Sequence, residues 1–278
     1  MATLPTAHEP LAPSLRLLLV ISSILVLIVG VTLYFLPFKT STFFAWTIAP
    51  PLTASAMGAA YLGSFLNQLV AAQQSTFRRA RVAFPAVLVF TILAAVVTTI
   101  HIDRFHFWSP LQSARFAAWV WITVYVVFPI VAIAYLIRWR TALAEAVAPE
   151  APMSAPLVLN LAVVGALLLV IGLPLVIAPT MVLDLWPWRL TPLTARMTGV
   201  WCLGIGVVLV HGALIRDLRA AVPLASGITA FAALLLLALW IHSGDVRWSG
   251  ISIWLLLLVT VDLLAMGILV LTGQRRGS

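Results

Sequence analysis

The chain has 278 residues, of which 63% are hydrophobic and 9% charged, and its 16 basic and 8 acidic residues leave a net charge of +8. So few charges cannot cover a water-soluble domain, so the surface of the fold must face lipid. The basic residues sit in ones and threes at the ends of apolar runs, which anchors spans in a membrane and argues against nucleic acid as a partner.

Residues 1–14 are expected to form a short N-terminal cytoplasmic tail, and the first apolar run follows at 17–38. That run is too long for a signal-peptide core and has one basic residue, Arg16, before it, so it is expected to remain as a first span. Uncharged stretches then cover 40–77, 82–100, 116–137, 151–183, 197–215 and 220–244, and a last one, 248–273, is interrupted only by Asp262. At about 20 apolar residues per crossing, short loops divide these into eight predicted transmembrane helices. Ten-residue alternating segments are missing, so a β-barrel is a poor fit. The fold class expected is an all-α polytopic membrane protein. Cys202 is the only cysteine, which removes internal disulfides and CxxC chemistry.

The phrase Trp46-x3-Pro50-Pro51-Leu52-Thr53-Ala54 returns as Trp188-x3-Pro192-Leu193-Thr194-Ala195, shifted by 142 residues and, after the extra Pro51, by 141. Gly58 and Gly63 then match Gly199 and Gly204, Ile100-His101 matches Ile241-His242, and Trp108-Ser109 matches Trp248-Ser249. Matches in one order at a nearly constant offset predict two copies of a four-helix unit, 15–139 and 157–275, joined by an Ala/Pro-rich linker at 140–156. Four crossings per unit make the repeats parallel, with a pseudo-two-fold axis along the membrane normal. Ten basic residues on the side of both termini, against six in the alternate loops, predict cytoplasmic termini in the cell (inner) membrane.

The candidate residues fall into three groups. Trp46, Pro51, Thr53, Trp188, Pro192 and Thr194 mark the outer starts of two spans. There proline suits the first turn, Thr191 can cap, and hydroxyls beside free amides could hold an anion; the plainer reading is a capped helix with an interfacial tryptophan. His101 and His242, with Asp103 and Asp245 close behind, end two spans at equal depth and could clamp a metal or ligate haem if they face each other. His106 is a third histidine near the first. Asp262, in the middle of its span, costs about 2.5–3.5 kcal/mol on insertion scales and is the expected ion- or proton-coupling group. His211, Asn67, Gln68 and Asn160 are the other intramembrane polar residues. Spaced glycines point to close helix packing.

No Walker loop, HExxH, GxSxG or paired catalytic carboxylates occur. The leading expectation is a protein that binds or transports a small solute or ion between its two halves, with a site open to the outer face. Its alternatives are a haem- or metal-carrying or accessory subunit of a membrane redox complex, and a membrane enzyme acting on a lipid head group. The cofactor stays unassigned, and lipid, a membrane-protein partner or a second copy are the partners that fit.

Overall fold

The computed structural model describes residues 6–145 and 147–273, apart from the side chains of residues 143 and 144. The basic tail Arg275-Arg276 lies outside them. Eight long helices carry the fold: α1 (Pro13–Phe35), α2 (Pro51–Ala72), α3 (Phe84–Ile100), α4 (Gln112–Ala144), α5 (Ala155–Ile177), α6 (Pro192–Ile215), α7 (Val222–Ile241) and α8 (Ile251–Gly273). Among the described residues there are no strands, only isolated bridges.

Among the described residues seven helices are long and apolar enough to cross a membrane, and α2 is the long helix outside that set. The reason lies in its surroundings. α2 packs on α1 along one side and α7 along another, and 13 of its 22 residues are buried. A helix enclosed by other helices has little lipid to face, so Thr53, Ser55, Ser64, Asn67, Gln68 and its small residues replace long apolar side chains. The other helices turn Leu17, Ile28, Val170 and Leu258 outward, all well exposed. Such a surface is stable only against hydrocarbon, and the chain is a multi-pass, all-helical membrane protein.

Packing runs in two series, α1–α2–α7–α8 and α5–α6–α3–α4, each drawing two helices from either half of the sequence. Glycines set the closest approaches. A Cβ on Gly58 would stand 2.6 Å from the Tyr34 amide nitrogen of α1, and one on Gly199 would stand 2.7 Å from the Gly172 carbonyl of α5.

Loop contacts recur at the offset of the sequence echo. Trp46 bridges Phe105 and Trp188 bridges Val246; at the opposite end Pro10 bridges Thr76 and Pro152 bridges Asp217. The His106 amide donates to the Ala45 carbonyl and the Arg247 amide to the Pro187 carbonyl, both at 2.8 Å. Arg247 is therefore the positional counterpart of His106. The Ser109 amide bonds the His106 carbonyl as the Gly250 amide bonds that of Arg247, so the Trp-Ser echo at 108 and 248 lies one residue out of this register.

Candidate functional site

A cavity of about 120 Å³ lies in the interior, lined from α1, α2, α3, α4, α6 and α7. Its position follows from one small difference in packing. Gly63 of α2 and Gly227 of α7 interlock, a Cβ on either coming within 2.7–2.9 Å of the other's carbonyl oxygen. At the matching offset, α6 has Gly204 but α3 has Ala86, and a Cβ on Gly204 would meet nothing closer than 3.7 Å. The room left there belongs to the cavity, which Gly204 and Ala86 both line.

The cavity is polar on one wall. Ser64 and Asn67 of α2 stand at the positions that Ile205 and Val208 hold on α6, and all four line it. The buried Tyr61 and Tyr125 hydroxyls bond each other at 2.9 Å. Gln68 donates to the Ser64 hydroxyl at 3.0 Å and accepts from the Ser22 hydroxyl. Asn67 Oδ1 and Trp201 Nε1, one acceptor and one donor, are buried without a hydrogen-bond partner among the described residues. The Trp201 ring stands edge-on to Tyr61, with centroids 4.8 Å apart. None of the lining residues is ionisable at neutral pH. An unpaired buried polar group costs about 1–3 kcal/mol, so this wall is set to hydrogen-bond a neutral molecule and has nothing to neutralise an ion.

Two further spaces adjoin it. Trp201, Ala60, Ile205 and Phe231 are shared with a cavity of about 70 Å³ that reaches Trp186, Trp188 and Thr53. Ser22, Gln68, Val87 and Phe128 are shared with a space of about 210 Å³ between α1, α3 and α4.

Of the residues singled out in the sequence, Asn67, Gln68, Gly63 and Gly204 line the central cavity. Asp262 is not beside Asn67, Gln68 or His211, because α8 packs on α7 and touches α5. Its two carboxylate oxygens accept from the Asn160 side-chain amide of α5 at 2.9 and 3.2 Å. A double-mutant cycle with Asp262→Leu and Asn160→Leu is expected to give a coupling of about 0.6 kcal/mol, and at most about 1.7 kcal/mol, as for polar pairs in other membrane bundles. Zero coupling in detergent unfolding would dismiss this contact as a stabilising one. His211 donates from Nδ1 to the Val82 carbonyl at 3.2 Å, ahead of α3.

His101 and His242 cap the C-terminal ends of α3 and α7 but are committed separately. His101 Nε2 accepts from Arg196 of α6 at 2.8 Å, while His242 Nε2 pairs with the Ser55 hydroxyl of α2 at 3.1 Å. Asp245 accepts from the Leu52 amide at 3.4 Å, and Asp103 pairs with its neighbour Arg104 in solvent. No group of three or more His, Cys, Asp or Glu is placed to hold a metal among the described residues. Burial, and then the Arg196 guanidinium, hold His101 below the ordinary histidine pKa. A depressed pKa stabilises the fold above the unfolded value of about 6.5 and loses that contribution as pH falls through the folded value. The melting temperature should therefore start to fall below that pH in the wild type, and His101→Gln should remove that part of the decline.

Trp46 and Trp188, read as interfacial, are fully buried, as are Thr53 and Thr194. The Trp188 indole donates to Thr53 at 3.0 Å, and Thr191 and Thr194 cap the start of α6 in a reciprocal box. The helix starts at Pro51 and Pro192 thus have their hydroxyls engaged within the protein. Trp108 and Trp248 are exposed, as are Trp119, Trp240 and Trp254.

Sequence reasoning passed over Tyr61, Tyr125, Ser64 and Trp201. Intramembrane tyrosine and serine near Asn67 were the available signal. It also passed over the far end of the bundle, where buried Arg78 pairs with buried Asp217 at 2.8 Å and Arg79 binds Glu150.

Compared with protein-family models, curated proteins and solved structures, the chain finds no match.

Proposed function

We propose that this protein binds a small uncharged solute in the central cavity and passes it between the two adjoining spaces. The observation that carries the reading is a cavity without ionisable side chains whose lining residues Asn67 and Trp201 each keep a buried polar atom, the acceptor Oδ1 and the donor Nε1, without a hydrogen-bond partner among the described residues. A hydroxyl compound, which can both donate and accept, satisfies both, whereas an ion would lose its hydration there without compensation. The chain of spaces from the α1–α4 side to Trp186 supports passage. Asp262 enters as a partner of Asn160 between α5 and α8 rather than as the coupling group.

The same reading takes α2 as an eighth crossing and the chain as two parallel four-helix repeats, supported by the bridges and amide bonds that recur at offsets of 141 and 142 residues. With both termini in the cytoplasm of a cell-membrane protein, as the basic residues favour, the Trp46/Trp188 end faces outward.

The test uses 6-bromohexan-1-ol, a short-range quencher of tryptophan, on the protein in lipid nanodiscs, with 6-bromohexanoate as the charged control. Saturable quenching by the alcohol is expected, lost in Trp201→Phe. Asn67→Leu should weaken it by up to about tenfold, the worth of one hydrogen bond. Equal saturable quenching by the carboxylate would overturn the reading, as would a wholly linear response.

A further inference from the structure

The space between α1, α3 and α4 differs from the central cavity in kind. It is larger, about 210 Å³ against about 120 Å³. Its walls are apolar: Leu15 and Leu19 from α1, Ala132 from α4, and the aromatic rings of Phe77, Phe84 and Trp139. The rings of Phe77 and Trp139 stack at 4.4 Å and close its far end. α1 packs on α2 while α4 packs on α3, so the space lies along a seam between the two helix series. Leu136, at its edge, is exposed on the lipid-facing surface. Where it meets the central cavity the shared lining adds two polar residues, Ser22 and Gln68, to Val87 and Phe128, and the Ser22 and Gln68 side chains bond each other.

We infer that the ligand is a bilayer-resident amphiphile with an uncharged head and a long hydrocarbon chain, which enters through the seam between α1 and α4. This rests on the proposed solute site and names its ligand class. The head, carrying a hydroxyl, reaches Asn67 and Trp201. The chain remains in the apolar space by Leu19 and Ala132, where it gives up lipid for protein at little cost. Ser22 and Gln68 stand at the passage, and Gln68 can exchange its Ser22 bond for one to the passing head. A charged head has no partner anywhere along this route, since none of the residues lining either space carries a charge. An ordinary phospholipid would have to bury its phosphate unpaired and is excluded.

The probe is a long-chain alcohol bearing a diazirine in its tail, reconstituted with the full-length protein in nanodiscs, with the matching alkyl phosphate as control. Photolysis of the alcohol should label peptides containing Leu19 and Ala132, and unlabelled geranylgeraniol should compete. Ala132→Trp fills the space from the α4 side and should cut that labelling several-fold, with bromohexanol quenching retained. If Ala132→Trp lowers the melting temperature, Leu19→Phe narrows the space from α1 and must give the same loss. Unchanged labelling in a folded filling variant overturns the inference, and so does labelling by the phosphate that matches the alcohol. Tail labelling that does not respond to the filling variants, with quenching intact, removes only the lipid ligand, whereas absence of saturable quenching removes the solute site itself.

Discussion

Asp217→Ala is expected to destabilise the protein by about 3–5 kcal/mol, the cost of stranding one member of a buried ion pair. Asp217 is 2% exposed and Arg78 6%. The carboxylate accepts from Arg78 at 2.8 Å and from the amides of Glu150, Arg219 and Ala151 at 2.8, 3.0 and 3.4 Å. It therefore ties the stretch after α4 to the turn between α6 and α7. Alanine would leave the Arg78 guanidinium buried beside Arg79, with only the Ala148 carbonyl and the more distant Glu150 for partners. Burial raises the Asp217 pKa, but the bonds from Glu150, Arg78, Arg219 and Ala151 outweigh it and hold the carboxyl below its usual value. Its contribution is thus present above the ordinary carboxylate pKa and lost as pH falls through the lowered one. Denaturant unfolding in detergent measures this directly; a loss under 1 kcal/mol would show that solvent reaches the pair.

Gly58→Val and Gly199→Val should each cost about 1–3 kcal/mol or more, because the new side chain meets backbone that cannot move aside. The first would press on the Tyr34 amide and the second on the Gly172 carbonyl. Gly204→Ala provides the contrast. Its Cβ would make only ordinary contact with Phe90, at 3.7 Å, and alanine is favoured in a helix by about 1 kcal/mol, so stability should hold or rise. Equal losses at all three positions would mean that the α1–α2 and α5–α6 contacts are looser than their geometry.

The apolar runs, the helix starts at Pro51 and Pro192, the Thr191 cap and the ends of α3 and α7 at His101 and His242 were all legible, because each is written in a few adjacent residues. Partners were not. Nothing local distinguishes an Asp262 that meets Asn160 from one that meets His211, since that depends on which helix faces α8. Tryptophan at a span end reads equally well as a membrane belt or a plug, and Trp46 and Trp188 turned out to be plugs. The crossing of α2 was expected from length, yet its polar and small residues answer to enclosure by α1 and α7. The cavity depended on Ala86 standing where Gly227 stands in the other half, a difference of one methyl group with meaning only once the helices are packed. Asp217 drew no notice because a carboxylate between basic residues in a short loop looks like ordinary surface.

Native mass spectrometry of the protein extracted from its membrane is the most direct test of an uncharged amphiphile beside Trp201. The wild type should carry one neutral species of defined mass per chain. Gly204→Leu, whose Cβ would start 3.7 Å from Phe90 and 4.0 Å from the Ala86 carbonyl oxygen, should fill the cavity and release it while the protein stays folded. Retention of the same species by a folded Gly204→Leu variant, or adducts that only mirror the phospholipids of the membrane, would contradict it.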